Sequence, residues 1–187
     1  MTLFLIGLVI FFGTHAFTTL ARGPRDAMVA KLGANGYKGL YAIVALAGFA
    51  MIVVGWREAS VAAVYTPPYF LRHLTLGLML FAMILLVAAY APPGRIAAAT
   101  KHPMLAGVKV WAFAHLLANG ELRSVILFGA FLAYAVIARI ALKKRDAPIR
   151  TAGPIINDAI AVSIGLGAYV AIYLWLHPYI AGVAISF

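Results

Sequence analysis

Residues 70–91 read FLRHLTLGLMLFAMILLVAAYA and stop at Pro92-Pro93-Gly94. After Arg72 and His73 this stretch holds no ionisable group except a tyrosine near its end. At 1.5 Å per residue, a helix of this length crosses a hydrocarbon core about 30 Å thick. The same reading extends in both directions. Five further apolar stretches occupy roughly residues 2–21, 39–56, 103–119, 122–142 and 155–176, the fourth in chain order being the shortest. Gly, Pro and charged residues punctuate them at Arg22-Gly23-Pro24-Arg25, Pro67-Pro68, Asn119-Gly120-Glu121 and from Lys143 to Pro154. Leu, Ala, Ile, Val and Gly fill the spans without period-2 alternation, so helices are expected rather than a membrane barrel. The fold class is therefore all-α, a polytopic membrane bundle of about six transmembrane helices forming one domain over residues 1–187.

Composition leads to the same expectation. Hydrophobic residues make up 65% of the chain, charged residues only 11%, and the mean hydropathy is +0.99. A soluble domain carries about a quarter charged residues, and a chain this short has too few to cover so much apolar surface. The chain contains no cysteine, which excludes disulfides, thiolate metal sites and cysteine nucleophiles. A net charge of +10 raises the question of nucleic acid, but the basic residues cluster between spans, as topology demands. Nucleic acid is not an expected partner; the lipid bilayer is.

Lysine and arginine set the expected orientation. Arg22, Arg25, Lys31 and Lys38 follow the first span, Arg95 and Lys101 the third, and Lys143, Lys144, Arg145 and Arg150 the fifth. The opposite side holds Arg57, Arg72 and Arg123. The positive-inside rule puts the first group in the cytoplasm and both termini outside. The first span lacks a basic n-region and its apolar run passes residue 15, so it reads as a retained helix rather than a cleaved leader.

The informative residues are those that lipid disfavours. His15 lies in span one among Phe11, Phe12 and Phe17; His115 lies in span four beside Trp111, Phe113 and Leu116. Met104, Val108, Trp111, His115 and Asn119 share one face of that span. His73 stands near the outer start of span three, His102 at the inner edge of span four, and His177 at the outer edge of span six. A histidine framed by apolar side chains suits an axial haem ligand, and two on different helices would hold a b-type haem. A transmembrane histidine also serves as an ordinary interhelical contact. Depth separates the two, because His15 is about six residues from the inner end of its helix and His115 about four from the outer end of its own. That is a difference of roughly 10 Å. A tilted haem or tilted helices would absorb that, and the pairings His15 with His102 and His115 with His73 stay open beside it.

Lesser expectations complete the reading. Asn119-Gly120 closes span four, with glycine in the left-handed conformation. Lys109 snorkels toward the cytoplasm or meets Asp158 or a haem propionate. Arg22, Arg25 and Arg72 anchor at the interface or hold propionates. Glycines at 48, 55, 165 and 167 allow close helix packing. No phosphate loop, dinucleotide fingerprint, catalytic triad or paired carboxylates occur, which argues against acid–base hydrolysis.

One run carries a resemblance. His102-Pro103-Met104-Leu105-Ala106-Gly107, continuing Trp111-Ala112-Phe113-Ala114-His115-Leu116-Leu117-Ala118-Asn119-Gly120, resembles the signature of the NnrU family. Gly13-Thr14-His15, Arg25, Leu32-Gly33, Tyr37 and Tyr41 agree with it, and the likeness covers essentially the whole chain. That family is mostly bacterial and is associated by genetic context with nitrite and nitric oxide reduction. The resemblance implies a multi-pass protein of the bacterial inner membrane, with nitric oxide as a ligand and respiratory or denitrification membrane proteins as partners. The family is similar in turn to the 15-cis-ζ-carotene isomerases, membrane enzymes with a bis-histidine haem b. Their haem histidines fall on His15 and His115, and a further family histidine falls on His102. The resemblance thus implies haem b as cofactor, His15 and His115 as iron ligands and His102 as a further haem-site residue, to which the reading of the spans adds His73 and Trp111. A haem-dependent isomerase acting on a hydrophobic carotenoid is the alternative. There the isomerases carry a cysteine three residues before the second ligand, and this chain has Ala112. The His102-Pro103 to Gly107 run is also faintly similar to small membrane methyltransferases, a lesser alternative without matching acidic and arginine residues after span five.

Overall fold

The computed structural model describes residues 1–183 and 185. Helix α1 (Thr2–Leu20) turns at Ala21 into α2 (Arg22–Trp56), and an outer loop leads to α3 (Leu71–Ala88). The short α4 (Arg95–Thr100) precedes α5 (Pro103–Ala118), α6 (Leu122–Lys144) and α7 (Ile155–Ala171). A π-helical segment, Ile172–Leu176, then runs into α8 (His177–Ala181). Five helical stretches are long and apolar enough to cross a membrane: α1, α2, α3, α6 and the continuous run Ile155–Ala181. The shorter apolar α5 packs between α3 and α6. The chain is a polytopic helical membrane protein.

Packing follows from small residues. Helix α1 lies along α2, where a Cβ on Gly55 would collide with the Phe4 nitrogen and one on Gly48 would stand 2.7 Å from the Phe11 nitrogen. Such contact draws two backbones together and gains dispersion without any hydrophobic drive from lipid. Phe4, fully buried against Trp56, anchors a cluster with Leu8, Ile52 and Ala59. Gly165 brings α7 onto α3 at Ile84, whereas Gly167 meets no neighbour. The outward faces carry Val9, Ile43, Phe81 and Ile164, apolar groups that only lipid would cover.

The basic end holds more structure than the sequence suggested. Residues 22–32, read as a loop, are helical, and α2 breaks only at Gly33, whose φ of +73° suits glycine. Pro24 falls in the first turn, where its missing N–H costs no helical bond. Arg145 donates to the Thr19 carbonyl at 3.1 Å, and Arg150 donates to those of Ala88, Ala89 and Ala91 at 3.4, 2.5 and 3.2 Å. These guanidinium groups satisfy carbonyls at the ends of α1 and α3, in addition to any topological role.

Asp158 does not meet Lys109. Its two oxygens accept the backbone N–H groups of Arg95 and Ile96, each at 2.9 Å, and so cap α4. Gly120 departs from expectation too. Its φ is not positive; glycine is needed because a Cβ would collide with the Tyr65 carbonyl oxygen.

A candidate haem site at the terminal end of the bundle

Helix α5 ends in a clamp made by the loop before α3. Val64 N–H donates to the Gly120 carbonyl at 2.8 Å, Leu122 N–H to Ala62 at 2.8 Å, and Arg123 N–H to Ser60 at 3.1 Å. The Tyr65 hydroxyl donates to the carbonyls of Leu116 and Asn119. The His115 carbonyl accepts both the backbone N–H and the side-chain Nδ2 of Asn119, each at 2.9 Å. Helix ends leave carbonyls without intrahelical partners, and here nearly the whole last turn is tied down. His115 sits in that turn.

Its ring is fixed as firmly as its backbone. Nδ1 lies 2.9 Å from the Trp111 carbonyl oxygen. A carbonyl only accepts, so Nδ1 carries the proton and the neutral ring keeps its lone pair on Nε2. Phe128 stacks on the ring at 4.4 Å between centroids, and Trp111 lies at 5.0 Å. Metal-ligating histidines are commonly oriented by this kind of N–H to carbonyl bond. Trp111 thus acts through its carbonyl, while its indole packs on Phe128 and Phe131.

His15 repeats the pattern in a different place. Its Nδ1 lies 2.7 Å from the Phe11 carbonyl, with Phe11, Tyr41 and Tyr134 around the ring at 4.2, 5.4 and 5.6 Å. The Tyr134 hydroxyl is 3.0 Å from Thr19 Oγ1, which ties α6 to α1 beside it. Helix α6 serves as a ruler: His115 faces its Phe128 and His15 its Tyr134, six residues and about 9 Å further along. Phe131 fills the interval, with ring contacts to Phe11, Phe12 and Trp111. The structure does not bring His15 and His115 together.

The other histidines separate likewise. His102 precedes α5 at the basic end, where burial and the charges of Arg139, Arg145 and Lys101 hold its imidazole below the ordinary range. His73 is exposed in the first turn of α3, with Tyr69 at 5.8 Å. Neither pairing left open by the sequence, His15 with His102 or His115 with His73, is formed among the contacts of the described residues. Nor do three or more His, Asp or Glu residues gather there to hold a bare metal ion.

His115 instead faces a cavity of about 430 Å³, within the size range of small-molecule sites. Leu76, Met79, Met83 and Ile172 are among its apolar lining residues, and Arg72, Glu121, Arg123 and His177 among its polar ones. Arg123 is held by Glu121 at 2.8 Å and lies 4.6 Å above the Trp56 ring; Arg72 lies 5.4 Å from the Tyr69 ring. A model of the NnrU protein family matches residues 3–185. The chain belongs to the NnrU family. No curated protein sequence and no solved structure matches it.

A b-type haem asks for imidazole nitrogen, an apolar wall for the macrocycle and cations for two carboxylates. In this NnrU-family chain the lining beside His115 offers an imidazole, apolar side chains and two arginines, of which Arg123 is paired with Glu121, and His15 does not line it. The sequence reading had set His177 aside as an edge residue and Arg123 as a loop cation. The signal missed was the π-helical widening before His177, which hydropathy does not register.

Proposed function

We propose that this NnrU-family chain is an integral membrane haem b protein with a redox or nitric-oxide-linked role, with His115 as an iron ligand. The observation that carries the reading is His115 itself. Its Nδ1–H is committed to the Trp111 carbonyl, its ring is seated on Phe128, and it lines a cavity that Arg72 and Arg123 also line. Bound haem would supply a one-electron couple and a binding site for a diatomic ligand such as nitric oxide. The residues of the chain do the rest. The Trp111 carbonyl orients the ligating ring, and the Tyr65 and Asn119 bonds hold the last turn of α5 in place. Leu76, Met79 and Met83 would exclude water from the macrocycle, while Arg72 and Arg123, the latter shared with Glu121, would offer positive charge to its carboxylates.

The test is haem stoichiometry in detergent for wild type and His115→Ala. The reading expects close to one haem per wild-type chain and loss of most of it in the variant. Equal haem in both would show that His115 is no ligand.

A further inference from the structure

The basic end of the bundle gathers three cations that no carboxylate answers. We propose that Arg139, Arg145 and Lys101, beside His102, bind the headgroup of an anionic phospholipid of the inner leaflet. The site stands independently of the haem reading. Helices α5 and α6 run antiparallel, with His115 on Phe128 and Trp111 on Phe131. Counting back from His115 to His102 and forward from Phe128 to Arg139 moves about 17–20 Å toward the basic end in each case. The charges of Arg139, Arg145 and Lys101 all reach the His102 imidazole, and Arg145 donates to the Thr19 carbonyl at 3.1 Å. The cations therefore converge where the end of α1, the start of α5 and the end of α6 meet.

Arg139 is the residue that topology alone does not explain. The positive-inside rule asks for basic residues in loops and at helix ends, which the exposed Lys143 and Lys144 already supply. Arg139 is half-buried inside α6, one turn beyond the fully buried Ala135 on the same face and more than a turn short of Lys144. An ionisable group within a span is costly unless it has a partner or a task. Among the described residues Arg139 makes no hydrogen bond or ion pair, and the ion pairs found there are Arg25 with Asp26 and Arg123 with Glu121. Asp158 is committed to the amides of α4, and Asp146 is exposed and in no ion pair. Lys101 is held in an unusual conformation as well. The Thr100 carbonyl accepts the His102 N–H at 2.7 Å across it, closing a γ-turn with a φ of +63°. Residues with a Cβ rarely adopt that conformation, and such positions concentrate at ligand clamps and active sites.

Phosphate matches this cluster in kind. Guanidinium groups present paired N–H donors to phosphate oxygens, and an ammonium adds a compact point charge. Depth selects a lipid over a dissolved anion. The backbone of Arg139 lies about 7–8 Å inside the end of α6, and its neighbours Ile137 and Ile140 are exposed apolar groups that lipid would cover. A headgroup of the inner leaflet reaches that level with its acyl chains already against Ile137, Ile140 and Leu20. A free anion would have to leave water to do so. Basic pockets between helices on the cytoplasmic side hold anionic headgroups in this way.

The experiment titrates the full chain in detergent with phosphatidylglycerol, or with zwitterionic phosphatidylcholine, and counts bound lipid by native mass spectrometry. Wild type should retain one phosphatidylglycerol in preference to phosphatidylcholine. Arg139→Gln should weaken that binding roughly fivefold or more, the effect of one cation near a headgroup, while Arg139→Lys keeps most of it. The double variant Lys31→Gln/Lys38→Gln removes two charges from the same side outside the cluster and should stay within about twofold of wild type. A second measurement needs no variant. In nanodiscs, the amides of residues 100–106 should exchange more slowly with phosphatidylglycerol than with phosphatidylcholine. Undiminished binding in Arg139→Gln, no lipid preference in wild type, or equal exchange in the two nanodiscs would overturn the site. A double lysine variant weaker than Arg139→Gln would reduce the cluster to diffuse surface charge and overturn it too. Displacement of the lipid by inorganic phosphate would overturn the lipid as occupant. Haem content enters none of these readings, so the failure of one account leaves the other standing.

Discussion

Asp158 offers the sharpest local test of the fold. Its Oδ2 and Oδ1 each accept one N–H, from Arg95 and Ile96, at 2.9 Å. Those amides open α4, a helix of 6 residues, far too short to persist alone. A capping bond of this kind contributes about 1 kcal/mol, and a carboxylate at a helix N-terminus adds a few tenths more. Replacing Asp158 by Ala therefore costs about 2 kcal/mol at this point. At 1.36 kcal/mol per tenfold, the Arg95 and Ile96 amides should exchange with deuterium roughly 30-fold faster than in wild type. Asp158→Asn keeps one acceptor oxygen and loses about half as much, which corresponds to roughly fivefold. The effect stays local, because the Asn157 side chain still donates to the Pro93 carbonyl at 2.9 Å. Hydrogen exchange read by mass spectrometry in detergent resolves these amides. Unchanged protection of residues 95 and 96 in Asp158→Ala would refute the reasoning.

Three further outcomes are expected. Gly55→Val, whose Cβ would press on the Phe4 backbone, should lower stability by about 1–3 kcal/mol in a detergent unfolding titration. Gly13→Ala, with no neighbour within 4 Å, should be neutral or slightly stabilising, so equal losses in both would discredit the seam. The depressed imidazole of His102 resists protonation in the folded chain more than in the unfolded one. Its contribution is complete above the unfolded value of about 6.5 and is lost as pH falls toward the folded value. The unfolding temperature should drop between pH 7 and 5, and His102→Gln should flatten that slope; an identical slope would remove the residue from the account. Finally, the distribution of Lys and Arg predicts an external C-terminus. Alkaline phosphatase fused there should be active and green fluorescent protein dark, and the reverse pattern would invert the topology.

The spans were legible in the sequence because lipid makes one demand, unbroken apolar length, and residues 70–91 meet it without any tertiary knowledge. The short fifth helix and the packing roles of Gly48 and Gly55 were legible for similar reasons. The arm at residues 22–32 was not, because its Gly, Pro and charges read as a loop and tertiary contacts, such as Arg25 over the Tyr37 ring, help hold it. Gly120 was identified as special but for the wrong cause, since the close approach of Tyr65 comes from a loop far away in sequence. At the site, the histidines were visible as costly residues in lipid, and their Nδ1 bonds to the preceding turn follow from helix geometry. Which imidazoles share a cavity depends on how α6 spaces its neighbours and on the π-helical turn before His177. Neither leaves a hydropathy signal.

The central claim is that this bundle holds haem b. The most direct measurement is the absorption spectrum of the purified wild-type chain, oxidised and dithionite-reduced, with pyridine haemochrome quantitation. The account predicts a Soret band, sharp reduced α and β bands, and close to one b-type haem per chain. A colourless chain that also refuses added haemin would contradict it.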